Sequence, residues 1–246
     1  MMNLTLNGKV ALVTGSRQGN GKAIADYLEN IGATVVRSDI QADGALLPMD
    51  VTVEDSVAAG MKKIQEKHGR LDILVNNAGI INKATVSDID VAAWRSLIEV
   101  NLTGPTICTK HASLLMQENN WGRIINISSV QAYLANETYS AYAASKAALS
   151  HLTHIWAKEL APWNITVNAL CPSYVDTPMM ANTINTWANK LNSSREEALA
   201  HLLTPIPGKR LLKPEELGYW TAVLSTDMGG GVTGANISLS CGWLTY

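Results

Sequence analysis

Phenylalanine is absent from the 246 residues, and nothing physical follows from that. Other scarcities exclude more. No run of about 18 apolar residues occurs, which excludes a membrane-spanning helix. The opening MMNLTLNGKV lacks the basic end and apolar stretch of a secretory signal. Cysteine is sparse: Cys108, Cys171 and Cys241 lie far apart, in neither CxxC nor metal-binding spacing. An odd, scattered set is expected as free thiols in a reducing cytoplasm. A basic surplus is missing too, with 19 Lys and Arg against 21 Asp and Glu, which argues against a dedicated nucleic-acid binder. His151 and His154 lack the acidic partner of an HExxH pair, so no metal is expected.

What is present is alternation. Short apolar runs at 10–13, 34–36, 73–75, 124–127, 165–170 and 237–239 read as strands. Between them, 21–31, 57–64, 91–117, 140–160 and 215–224 carry apolar residues at helical spacing. Strand–helix alternation implies βαβ units. The expected fold class is α/β: one doubly wound Rossmann-type domain over 1–246. Its parallel sheet is expected to have about seven strands, with helices on both faces. Unalternating runs such as IINI suit strands buried on both faces. The long irregular stretch at 178–212 carries helical spacing at Ile184, Trp187, Ala188 and Leu191. Ser193-Ser-Arg-Glu196 then reads as a capping box opening a second short helix. Structure of its own makes this excursion a helical lid over a substrate.

Residues Thr14 to Gly21, TGSRQGNG, join the first strand to the first helix. Glycines there let the backbone approach a pyrophosphate, and the helix N-terminus offers N–H donors and a positive dipole end. A P-loop fails on spacing, because Ala23 follows Gly21-Lys22. An ordinary glycine turn is the bland alternative. Asp39 weighs against it, ending the second strand where a ribose-binding acid belongs. A carboxylate there accepts both ribose hydroxyls of NAD and repels the extra phosphate of NADP. Arg17 and Arg37 cut the other way, as groups able to reach a 2′-phosphate.

Tyr142 and Lys146, four residues apart near a helix start, share one face. A neighbouring ammonium favours the phenolate, which turns a poor base into a usable one. Ser129, just after the strand at 124–127, can donate a hydrogen bond to a substrate oxygen. Tyr and Lys at this spacing alone describe many solvated helices. Their weight comes from sharing a chain with the glycine turn and Asp39.

These residues resemble the short-chain dehydrogenase/reductase family over essentially the whole chain. The resemblance rests on Thr14, Gly15, Gly19 and Gly21; Asp50 before Val51; Asn76-Asn77-Ala78-Gly79; Asn101; Ser129; Tyr142 with Lys146; and Asn168, Pro172, Val175 and Thr177. It implies Tyr142 as general acid/base and Ser129 as the group orienting the substrate oxygen. Lys146 would bind the nicotinamide ribose and lower the Tyr142 pKa, and Asn101 would hold a water of a proton relay. Cofactor contacts are implied for Gly15, Arg17, Gly19, Asn20, Gly21, Asp39, Asp50, Val51, Asn77, Ala78, Gly79, Pro172, Val175 and Thr177. Gln131, Tyr139 and Trp187 join Ser129 and Tyr142 as candidate substrate contacts. Asn20, Ser173 and Ser240-Cys241-Gly242 depart from the family pattern.

The expectation is an NAD(H)-dependent oxidoreductase, with NAD preferred to NADP, interconverting a secondary alcohol and a ketone. Hydroxy acids and polyols are candidate substrates. The lid and Gly242-Trp243 look like 3-hydroxybutyrate dehydrogenases, whereas Tyr139 stands where their carboxylate-pairing lysine is expected. The alternatives are an NADPH-dependent 3-oxoacyl or general ketoreductase and a non-catalytic dinucleotide sensor. A homotetramer is expected from the apolar surface of the two long helices, which in the family pair across subunits.

Overall fold

A computed structural model describes residues 4–44 and 46–245. Met1 to Asn3, where the reading of the opening stretch begins, lie outside the described residues. The strands are β1 (Val10–Thr14), β2 (Thr34–Asp39), β3 (Leu47–Pro48), β4 (Ile73–Asn76), β5 (Gly122–Ile127), β6 (Ile165–Pro172) and β7 (Asn236–Leu239). All pair in parallel, in the order β3-β2-β1-β4-β5-β6-β7. The helices are α1 (Gly19–Asn30), α2 (Glu54–His68), α3 (Val91–Ile98), α4 (Gly104–Glu118), α5 (Ser140–Leu160), α6 (Pro178–Leu191), α7 (Arg195–Leu202) and α8 (Pro214–Ser225).

The two-residue period of a strand explains why the runs are apolar throughout. In β1, Ala11 and Val13 face one layer, with Ile24 and Leu28 of α1 and Leu217 and Ala222 of α8. Val10 and Leu12 face the other layer, with Val57 and Ile64 of α2, Ala112 and Met116 of α4, and Ala157 of α5. Each face of the sheet thus has its own core. A third, small core belongs to the 178–212 excursion, where Met180, Ile184 and Ala188 of α6 meet Ala198 and Leu202 of α7.

Three local features differ from the sequence reading. The edge strand β3 is absent from that reading, being two residues long and ending in a proline. At a sheet edge Pro48 costs little, because no outer strand awaits its missing N–H. The helix expected over 91–117 is broken by a π-helical turn, Glu99–Thr103. Pro105 supplies a cause: it has no N–H for the carbonyl of Asn101, four residues earlier, and its ring crowds that carbonyl. The capping box is Ser194 with Glu197, one residue later than expected. Ser193 belongs to the end of α6, where its N–H donates to Ala188 O at 3.0 Å past the left-handed Asn192.

Candidate active site

The sheet reverses its winding beside β1, with β2 on one side and β4 on the other. At such a point the loops leaving β1 and β4 diverge and open a crevice at the strand C-termini. A cavity of about 600 Å³ lies there. Its size is in the usual range for small-molecule and cofactor sites.

One end is built on the glycine turn. Thr14 Oγ1 accepts the N–H groups of Asn77 and Ala78, each at 3.0 Å, which fastens β1 to the end of β4. Asn77 Nδ2 donates back to Thr14 O at 2.9 Å and Gly15 O at 3.0 Å. The turn leaves no room for side chains. Gly15 has φ +63°, and a Cβ there would lie 2.8 Å from Ala78 Cα. At Gly21 a Cβ would overlap Gly15 O and Asn77 Nδ2. Gln18 caps α1 with no side-chain bond, and the first turn of α1 carries no acid. Its N–H groups and dipole therefore remain for an anion. Asn20 lines the same end, and its Oδ1 is buried with no partner.

Asp39, at the C-terminal end of β2, lines the cavity and accepts the N–H of Gln41 at 3.0 Å. Arg37 turns away from it. Its guanidinium is held by Glu29 at 2.7 Å and Asp26 at 2.7 Å, and Glu29 in first place holds its pKa above the ordinary value. Arg17 does not line the cavity; it donates to Gln41 Oε1 at 2.6 Å. Asp50 and Val51 do line it, and Asp50 Oδ1 also orders its own turn by accepting Thr52 N–H and hydroxyl. A glycine cradle, an open helix N-terminus and a strand-end carboxylate fit the pyrophosphate and adenosine of a dinucleotide.

The other end carries Ser129, Gln131, Tyr139, Tyr142 and Lys146. Ser129, from the loop after β5, shares a hydrogen bond with Tyr142 of α5. Burial pushes the Tyr142 phenol above its ordinary value, and the Ser129 bond pulls it partly back. Burial pushes Lys146 down to about 8. The Lys146 ammonium lies 5.7 Å from the Tyr142 ring centre and donates to Ile127 O at 2.7 Å; in this arrangement the net displacement of the Tyr142 phenol is upward, where the resemblance implies a lowering by Lys146. Ser128 faces α5, its Oγ bonding Lys146 O at 3.1 Å and Ser150 Oγ at 2.7 Å. Cys171 is buried, and burial raises its thiol pKa, which suits a packed side chain better than a nucleophile.

Thr177 caps α6 by accepting Met180 N–H at 3.3 Å, and it lines the cavity together with Pro172 and Val175. The excursion thus begins on the cavity wall. Asn101 does not line the cavity. Its Oδ1 accepts Ile80 N–H at 2.8 Å and its Nδ2 donates to Ile80 O at 2.9 Å, so its side chain positions the loop after β4. Trp187 does not line the cavity either: it lies 5.0 Å from the His201 ring and packs on the small core of the excursion. Sequence reading missed Tyr174, whose hydroxyl bonds that of Tyr139, and the role of Ser173, a buried hydroxyl without a partner on the cavity wall. Both follow Pro172 in a loop that carries no periodic signal. Ser240 is an internal brace, its Oγ accepting Leu244 N–H at 3.1 Å. Among the described residues no helix is long and apolar enough to cross a membrane.

A family model described as enoyl-(acyl carrier protein) reductase matches residues 15–244. The cis-4-hydroxycyclohexanecarboxylate dehydrogenase of Sinomonas cyclohexanicum is 37% identical, over 96% of this chain and 96% of its own. The 3-oxoacyl-[acyl-carrier-protein] reductase FabG of Thermotoga maritima is 36% identical, over 97% of this chain and 99% of its own. The D-beta-hydroxybutyrate dehydrogenase of Cupriavidus necator is 34% identical over 97% and 99%. Among solved structures, the aldohexose dehydrogenase of Thermoplasma acidophilum superposes with a TM-score of 0.89 at 32% identity, covering 96% of this chain and 94% of that one. With its parallel sheet, glycine turn and Ser129, Tyr142 and Lys146 in one cavity, the chain belongs to the short-chain dehydrogenase/reductase family of NAD(P)-dependent oxidoreductases.

Proposed function

We propose that this oxidoreductase interconverts a secondary alcohol and a ketone with NAD(H). The observation that carries the reading is the convergence of Ser129, Tyr142 and Lys146 at one end of a cavity whose other end holds the glycine turn and Asp39. When bound, the nicotinamide accepts or returns the hydride. The chain supplies position and the proton. Ser129 and Tyr142 hold the substrate oxygen between their hydroxyls, and Tyr142 takes its proton in oxidation and returns it in reduction. Lys146 holds the nicotinamide ribose, while Val175 and Thr177 hold the carboxamide. Asn77, Ala78 and Gly79 wall the adenosine side, Asn77 mainly by fastening the glycine turn. Gln131 and Tyr139 border the substrate, and the excursion at 178–212 excludes water from it.

Preference for NAD over NADP rests on Asp39 facing the cavity while Arg37 is committed to Glu29 and Asp26 and Arg17 to Gln41. Initial rates with each dinucleotide and a panel of secondary alcohols test it: faster turnover with NAD is expected. Faster turnover with NADP would favour the second reading, an NADPH-dependent ketoreductase, for which the 36% identity to FabG speaks. A homotetramer in the cytoplasm completes the proposal. Leu114 of α4 and Ile155 of α5 leave apolar surface exposed, and the three cysteines are free.

A further inference from the structure

Lys83, on the loop after β4, lines the substrate end of the cavity and lies over Tyr139, 4.7 Å from the ring centre. The Tyr139 ring lies 6.3 Å from that of Tyr142. The other cation on the cavity wall, Lys146, is spent on a backbone carbonyl, donating to Ile127 O at 2.7 Å, and Arg17 and Arg37 near the far end lie against carboxylates. Lys83 has no such partner among the described residues, and burial alone moves its pKa, downwards. The acids on the cavity wall, Asp39 and Asp50, stand beside the glycine turn at the far end. Two further polar atoms on the wall are unspent. Gln131 Oε1 and Ser173 Oγ are buried with no partner, and buried polar atoms are rarely left so without a ligand or water.

We propose that the substrate is an anionic hydroxy acid, or the corresponding keto acid, whose carboxylate pairs with Lys83 while its carbinol or carbonyl carbon sits at Ser129 and Tyr142. This rests on the alcohol–ketone reading above and adds the charge of the substrate. The cation folded against Tyr139 holds the acid end. Gln131 Oε1 and Ser173 Oγ stand on the same wall, open to a hydroxyl that the acid carries besides its carbinol. In oxidation the carbinol carbon loses a hydride to the nicotinamide cofactor and its oxygen loses a proton to Tyr142. The carboxylate is unchanged and serves as the handle.

The test compares hydroxy acids with their neutral methyl esters: 2-, 3- and 4-hydroxypentanoate, each against its ester, with NAD and NADP. The native enzyme is expected to favour at least one acid by about tenfold or more in kcat/KM, as for hydrogen bonds to charged groups. Lys83→Met is expected to cut the acid-to-ester ratio about ten- to a hundredfold, chiefly through KM, and Lys83→Arg to restore most of it. A measurement on the native enzyme stands apart from any folding defect: pentanoate inhibits competitively, and pentanamide inhibits at least tenfold more weakly. Esters turned over as well as acids, an unchanged ratio in Lys83→Met, or equal inhibition by pentanamide would each overturn the inference while leaving the alcohol–ketone reading intact. Turnover of neither class with either dinucleotide would overturn that reading, and this inference with it.

Discussion

At Lys146 a cation is kept where only 4% of the residue meets solvent, and burial brings its pKa to about 8. Below about 8 it is charged in both folded and unfolded chains, and the fold carries the full cost of burying it. From there to its ordinary 10.5 the unfolded chain binds more protons, so this contribution to stability rises with pH. Tyr142 reverses the slope above its ordinary 10.0, because its folded pKa is raised and the unfolded chain ionises first. Buried Cys108 and Cys171, both raised above their ordinary 9.0, oppose the rise from about pH 9, so the Lys146 contribution is read as native stability relative to Lys146→Met in urea unfolding, a difference expected to rise between about pH 8 and 10. Lys146→Met is expected to be more stable than native at pH 7, although inactive, with the gap closing as pH rises. A gap constant over the window would show that Lys146 is not held in this way. Asp39 gives a second test at this scale. Asp39→Ala is expected to bring the NADP-to-NAD ratio of kcat/KM up by about tenfold or more, by removing a carboxylate that repels the 2′-phosphate. An unchanged ratio would contradict the role given to Asp39.

Elements were legible wherever one periodic signal ran uninterrupted. The glycine turn, Asp39 and the Tyr142/Lys146 pair could be placed because strand, turn and helix each announce themselves over several residues. The π turn at Glu99–Thr103 was not, because its apolar spacing is that of a helix and the interruption lies in the backbone at Pro105. Asn101 was expected to hold a relay water, and its side chain is bonded to the backbone of Ile80. Arg17 and Trp187 were placed in the site from position along the chain, which does not fix the direction of a long side chain. The capping box slipped by one because two serines and two glutamates are adjacent, and only the end of α6 decides between them. Ser194→Ala is expected to destabilise α7 by about 1 kcal/mol, seen as amide exchange in 195–202 roughly fivefold faster. Exchange unchanged there, but faster after Ser193→Ala, would contradict the assigned cap.

For the molecule as a whole, the sheet order brings the ends of β1, β2, β4, β5 and β6 to one crevice, so distant segments share one cavity. Light scattering is expected to give about four times the 26.5 kDa of one chain, since family members with such helices associate through them. A mass near 26.5 kDa would contradict the tetramer. The central claim is that Tyr142 moves the proton, and Tyr142→Phe tests it most directly because only the phenolic oxygen is removed. Steady-state turnover is to be read beside NADH binding by fluorescence. The account predicts binding within a few-fold of native and turnover lower by about 10²–10⁴-fold. A variant that binds NADH and still oxidises substrate within a few-fold of native would contradict it, and would assign the proton transfer to another residue.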